Sequence, residues 1–321
     1  MITAMLGFLQ EHGQEHAQPS GGHDAAAEAF NAGKVIIDHV SNSGIDHPLI
    51  HLPTVFGIDF SVTKHVFMLW LVAALVFVIV TVSIRRYLKE DRVPAGFANG
   101  LEALVEYIRD SIVLPNVGAK WVNAWTPLIV TFFVFILAAN AIGLIPVFEF
   151  LGLVDHYVFQ TSEESFLRKV LHGGTTATAN FNVTAGLATV TFGAIIVAGT
   201  KAHGFIKHWR NLVPHGLAWP IYILLIPIEL MGMFVRPFAL TMRLAANMTG
   251  GHIAILAILS FVFIFTELSG QALVGVGVGM AVSVPLAVGL SALEIIVVLV
   301  QAYVFTLLTA VFIGMAIHVH H

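Results

Sequence analysis

Glu229, Arg236 and Arg243 stand at successive seven-residue steps in a long apolar stretch, and Glu294 and Gln301 repeat that step farther along. An α-helix returns to nearly the same face every seven residues, drifting ~20° per step, so each set lies along one stripe. Asn247 falls one turn beyond Arg243, Gly250 continues the register, and His252 follows beside Gly250 and Gly251. A charged group at the centre of a bilayer costs roughly 2.5–3.5 kcal/mol on insertion scales, so such groups face protein or water. A His, two carboxylates and an amide can form a hydrated relay, whereas Arg keeps its proton and acts as a fixed positive gate.

Antiparallel helices pair positions whose numbers have a nearly constant sum, and His252–Glu294 and Arg243–Gln301 agree in that sum to within two. The register therefore sets His252 against Glu294 and Arg243 near Gln301, making one polar seam from two sets of residues. Small residues at Gly250 and Gly251 let another helix approach closely. The competing reading is a structural network of ion pairs and hydrogen bonds. An isolated Arg–Glu pair suits that reading, but the full seam points to ion movement.

The elements that must hold this seam are apolar helices. Of 321 residues, 57% are hydrophobic and 11% charged, against ~25% charged in an ordinary soluble domain. A net charge of -4 offers nothing to attract nucleic acid. The absence of Cys excludes disulfide scaffolds, thiolate metal sites and cysteine nucleophiles. Met1 to Leu9 are largely apolar but lack a basic segment before them, which gives poor support to a cleavable signal peptide.

Residues 1–61 read as an N-terminal extramembrane arm, rich in Gly, His, Ala and acids beyond residue 10, and 62–321 as a membrane-embedded ion-translocating domain. Val66 to Ile84 is the first spanning run, with Trp70 near its start and Arg85 and Arg86 at its end. Residues 97–113 set Leu101, Leu104, Val105 and Ile108 against Glu102, Glu106, Arg109 and Asp110, the pattern of an amphipathic surface helix. Thr126 to Phe148 and Phe181 to Thr200 are the second and third spans. Ala218 to Ile317 is far longer than two perpendicular spans require, and a break at Gly270 to Gly279 divides it into two long, tilted helices. The fold class is thus an all-α membrane protein of about five membrane helices plus a surface helix, the last two forming an antiparallel hairpin. Basic loops after spans one and three, and acid-rich segments elsewhere, put the N-terminus outside and the C-terminus inside.

Several weaker signals are set aside. His12-Gly-Gln-Glu15-His16 fits an H-x-x-E-H zinc pattern, but that chemistry needs a stable helix and further ligands. His318, His320 and His321 are suited to loose metal binding only. Asn182-Val-Thr184 and Asn247-Met-Thr249 match the glycosylation pattern without carrying a function, the second lying within a membrane helix. A self-contained transporter or channel would use the same charges without a partner ring. An intramembrane haem protein needs paired axial ligands, and His252 has no intramembrane His partner in the sequence. No Gly-rich phosphate loop is present for nucleotide chemistry.

The stretch Arg243-Leu-Ala-Ala-Asn-Met-Thr-Gly-Gly-His252, with Glu229 upstream and Gln301-Ala-Tyr-Val-Phe305 downstream, resembles the a subunit of the membrane sector of rotary (F-type) ATP synthase. Asn140-Ala-Ile-Gly-Leu-Ile-Pro146 and Thr178-Ala-Asn-Phe-Asn-Val-Thr184 extend the resemblance over most of the chain from about residue 62, leaving out the arm and an insertion near residues 149–175. The resemblance implies an ion-conducting stator in a bacterial inner membrane, passing protons through two offset half-channels to and from the carboxylates of a rotating c-ring. It also implies peripheral-stalk b subunits as partners, no cofactor or metal, and no catalysis by this chain. Arg243 stands at the family's essential arginine position, as the ion gate facing the ring carboxylate. Glu229 is then a relay candidate for the inner half-channel, and Asn247, His252, Glu294 and Gln301 for the outer one. In some relatives the positions of His252 and Glu294 hold Glu and His, so this chain carries the pair exchanged. Arg236, before Pro237, has a supporting role at most.

Overall fold

The computed structural model describes residues 61–90, 95–144, 177–210 and 219–318. The expected arm (1–61, all but its last residue), the insertion near 149–175, His12, His16, His320 and His321 therefore lie outside the described residues. In chain order the helices are α1 (Lys64–Glu90), α2 (Phe97–Tyr107), a π-helical turn (Ile108–Val113), α3 (Leu114–Val117), α4 (Val122–Leu144), a short 3-10 turn (Ala177–Ala179), α5 (Phe181–His203), α6 (Phe205–Arg210), α7 (Trp219–Ser269) and α8 (Ala272–Ile317). Five of them, α1, α4, α5, α7 and α8, are long and apolar enough to cross a membrane.

Local chemistry sets several of the boundaries. Asn180 caps α5, its side-chain oxygen accepting from the Asn182 amide at 2.8 Å, which satisfies a donor that the first helical turn leaves open. Gly204 ends α5 at φ +87° and Gly270 separates α7 from α8 at φ +60°, a left-handed backbone that glycine adopts without steric cost. The expected break at Gly270 to Gly279 is narrower than the sequence suggests: α8 resumes at Ala272. Gly277 and Gly279 are therefore helical, because a glycine in a long apolar helix costs little beside the backbone bonds that the membrane demands.

The chain divides into two compact units. The larger comprises residues 69–141, 177–248 and 296–321. Its core joins Ile108 and Ile112 of the π turn, Ile129 and Phe132 of α4, Ile195 of α5, Leu244 of α7 and Phe305 of α8. Phe132 and Phe305 meet edge to face with centroids 5.5 Å apart, and buried Ala188, Ala194, Ala198, Ala302 and Ala310 keep the backbones close, as helix association in lipid requires. Glu102, Glu106, Arg109 and Asp110 remain exposed while Ile108, Ile112, Val113 and Val117 are buried, so the segment is amphipathic as its spacing indicates. One end of this unit is tied by histidines: the His203 ring donates from Nε2 to the Ile317 carbonyl (2.9 Å) and His318 Nε2 to the Val117 carbonyl (3.2 Å).

The other unit comprises residues 1–68, 142–176 and 249–295, of which the described part is dominated by the α7 segment from Thr249 and the α8 segment to Ile295. Buried Leu256, Val262 and Phe263 belong to its α7 portion and Ala287 to its α8 portion. Ser260 and Thr266 donate to the carbonyls of Leu256 (2.8 Å) and Val262 (2.7 Å), so these buried hydroxyls are satisfied within their own helix.

Candidate functional site

The proline-containing helix α7 carries Glu229, Arg236 and Arg243 in the larger unit. Their environments differ, as the ~20° drift per seven residues allows. Glu229 and Arg236 are half-buried, and the Arg236 guanidinium lies 5.9 Å from the Phe312 ring centroid on α8, within the range of a cation–π contact. Arg243 is exposed, and it makes no ion pair or hydrogen bond among the described residues. Exposed Phe234, Val235, Phe238 and Met242 accompany it on α7. The result is a fixed cation set in an apolar helix surface.

One turn beyond Arg243, the Asn247 side-chain amide donates to the Gln301 side-chain carbonyl at 2.9 Å. Gln301 is only 3% exposed, and its Nε2 has no hydrogen-bond partner among the described residues. The sequence register expects Arg243 near Gln301, whereas the hydrogen bond comes from Asn247 instead. The register that pairs His252 with Glu294 sets Gln301 level with residue 245, midway between Arg243 and Asn247, so spacing does not choose between them. The shorter amide thus reaches α8, and the guanidinium stays free of it.

In the other unit, His252 Nδ1 lies 4.0 Å from Glu294 Oε1. That separation holds an ion pair or a bridging water but exceeds a direct hydrogen bond. His252 is half-buried, Glu294 is 4% exposed, and neither carboxylate oxygen has a hydrogen-bond partner among the described residues. The carboxylate occupies the space that a Cβ on Gly251 would fill. Gly251 is thus the seat of the acid, and its small size serves this contact. A buried carboxylate without donors is costly, and accepting water or a proton relieves the cost.

Chemically, these groups divide into a cation that cannot deprotonate, a polarised amide pair, and an imidazole–carboxylate pair able to exchange protons. Among the described residues no group of three or more His, Cys, Asp or Glu is arranged to hold a metal ion. His318, taken from sequence as a loose metal ligand, bonds a backbone carbonyl. The sequence reading also did not foresee that Asn140 and Thr178 form a buried pair, Thr178 Oγ1 donating to Asn140 Oδ1. The available signal was the polar Asn140 inside an apolar span, but 38 residues separate it from Thr178 without a period to set a register.

Known proteins show the same chain-long pattern. The family model described as ATP synthase A chain matches residues 66–314. ATP synthase subunit a 2 of Chlorobium luteolum is 41% identical over 310 residues, covering 94% of this chain and 79% of that protein. ATP synthase subunit a 2 of Prosthecochloris aestuarii is 38% identical, covering 95% and 84% respectively. ATP synthase subunit a of Anaeromyxobacter dehalogenans is 37% identical, covering 97% and 75%. With a family match over most of its length, the chain belongs to the ATP synthase A chain family, as a multi-pass membrane protein that conducts protons as the non-catalytic stator subunit of Fo.

Proposed function

We propose that Arg243 separates two offset half-channels and faces, in turn, each carboxylate of a rotating c-ring. The single observation that carries this reading is the exposed Arg243 guanidinium, without a counter-charge among the described residues, on an apolar helix surface. Leaving such a charge toward lipid is expensive, and a ring carboxylate arriving at that surface supplies its partner. The positive charge favours the ionised form of that carboxylate, so the acid releases its proton on one side of Arg243 and regains one on the other. A proton cannot pass the guanidinium directly, because like charges repel and Arg does not exchange its own proton. Rotation is then the only route.

Glu229 serves the inner half-channel in this reading, and Asn247, Gln301, His252 and Glu294 serve the outer one. The Asn247–Gln301 bond orients an amide dipole one turn from Arg243, and His252 with Glu294 supplies the titratable pair. The excess of Lys and Arg after the first and third spans supports an orientation with the N-terminal arm, residues 1–61, outside a bacterial inner membrane and the C-terminus in the cytoplasm. Peripheral-stalk b subunits hold the chain against the torque that the ring exerts.

ATP-driven proton pumping in inverted membrane vesicles tests the assignment, comparing wild-type chain with Arg243→Ala after co-purification of the ring confirms assembly. Loss of coupled pumping in an assembled complex supports the gate. Unchanged pumping removes Arg243 from the mechanism and leaves the polar residues a structural role.

A further inference from the structure

One buried polar group in the unit that holds His252 and Glu294 has no place in the relay described above. Ser283 on α8 is 0% exposed, and its hydroxyl has no hydrogen-bond partner among the described residues. A helical serine in apolar surroundings ordinarily folds its hydroxyl back on the carbonyl four residues earlier, as Ser260 does in the same unit. Ser283 does not. Its donor and acceptor are both left for something else.

Two glycine contacts set the register of α7 against α8 within this unit. Gly251 leaves the space that the Glu294 carboxylate occupies, and a Cβ on Gly279 would lie 2.7 Å from Val262 Cα. Between these contacts the antiparallel pairing brings Ser260 level with Ser283, since the sum of their numbers falls between the sums of the two contacting pairs. Ser260 is also buried, at 3% exposure. On α8 itself, Ser283 and Glu294 are three helical turns apart, so they share a face to within ~20° and are separated by ~16 Å along the axis. Half-buried Ser291 stands between them, one turn before Glu294. The same helical face thus presents a fully buried hydroxyl and a buried carboxylate, both without hydrogen-bond partners among the described residues.

We propose that Ser283, with Ser260 level with it on α7, is a step in the proton path to Glu294, seating water so that the outer half-channel runs along the α7–α8 seam toward the turn at Gly270. This rests on the half-channel reading given above. A hydroxyl accepts one hydrogen bond while donating another. Its oxygen takes a proton from the incoming water as its own proton leaves to the next water, and the serine ends as it began once the file reorients. Glu294 receives the proton at the end of the file and passes it on. The competing account is steric: serine is small, and small residues let helices pack closely. Alanine is equally small, which separates the two accounts.

The test uses the complete complex in inverted vesicles, with ring co-purification as the assembly check and ATP-driven pumping as the readout. Ser283→Ala keeps the packing and removes only the hydroxyl, so pumping falls at least threefold and becomes more sensitive to replacement of H2O by D2O. This chain contains no cysteine, so Ser283→Cys introduces a single thiol, and Ag+ then blocks pumping relative to the same complex without the replacement. Wild-type pumping by Ser283→Ala, or a Cys variant indifferent to Ag+, overturns the proposal. If Ser283→Ala does not assemble, the response of Ser283→Cys to Ag+ decides alone. Glu294→Gln in the same assay tells the two levels apart: its loss of pumping beside an unaffected Ser283→Ala defeats only the serine step, while its unchanged pumping defeats the half-channel assignment as well.

Discussion

The Asn247 amide reaches across from α7 to the Gln301 carbonyl on α8 at 2.9 Å, and the two ends of this bond sit in unlike surroundings. Asn247 is exposed, whereas Gln301 is 3% exposed with its Nε2 unpartnered among the described residues. The bond therefore has a buried end that depends on it and an exposed end that does not.

That asymmetry predicts unequal penalties. Asn247→Leu leaves the buried Gln301 carbonyl without its donor, a loss of about 1–3 kcal/mol. Gln301→Leu leaves only an exposed amide and costs less than about 1 kcal/mol. Thermal or denaturant unfolding of the full chain in detergent compares them, and the double variant should recover part of the Asn247→Leu loss. Equal penalties from both single variants would show that the two ends do not depend unequally on the bond.

Gly251 and Glu294 predict a second effect. A Cβ at position 251 meets the Glu294 carboxylate, so Gly251→Ala displaces the acid from His252 and Gly251→Val does so further. Proton pumping should fall by roughly tenfold or more in assembled complexes, since a displacement of ~1 Å in a reacting group is enough to cost about a hundredfold. Shortening the acid in Gly251→Ala with Glu294→Asp should restore part of the rate. Wild-type pumping by Gly251→Val would mean that the position of the Glu294 carboxylate is immaterial.

A third prediction concerns pH and lies outside the spans. The His208 ring on α6 is buried against Gly199 of α5, and burial holds its pKa below the ordinary 6.5, with His203 acting in the same direction. Below pH 6.5 the unfolded chain takes up a proton that the folded chain refuses, so the unfolded state binds more protons and folding stability falls as pH drops. The contribution is present above 6.5 and is lost from there down through the lowered folded-state value. Melting curves between pH 5 and 8 should show a shallower acid-side decline for His208→Gln than for wild type. Parallel curves would sink the idea.

Much of this architecture was legible because its signals are strong. An apolar run such as Val66 to Ile84 has few structures open to it in lipid, and the first and third spans were placed to within three residues at each end. The His252–Glu294 approach was readable from helical period and antiparallel register together. The partner of Gln301 was not, since its level on α7 falls midway between Arg243 and Asn247. The roles of His203 and His318, the latter read from sequence only as a loose metal ligand, were hidden for another reason. Their partners are backbone carbonyls, which every residue carries, so no residue type announces them. Ser283 was hidden by its own modesty, a small polar residue in an apolar run being ordinarily satisfied by its own helix.

The length of α7 has an electrical consequence. Its apolar segment from Ile221 to Ser269 contains 49 residues, a contour of ~74 Å at 1.5 Å per residue, against roughly 30 Å of hydrocarbon. Confined to that thickness, the helix gains on average only ~0.6 Å of depth per residue, so a seven-residue step crosses ~4 Å, about one-seventh of the hydrocarbon depth. At roughly 2.3 kcal/mol per charge per 100 mV for the whole membrane, such a step changes a charge's electrical energy by only ~0.3 kcal/mol. Polar positions one such step apart on α7, such as Arg236 and Arg243, therefore differ little in electrical energy. In the half-channel reading proposed above, most of the voltage then acts on protons as they enter and leave the half-channels rather than between neighbouring polar groups of α7.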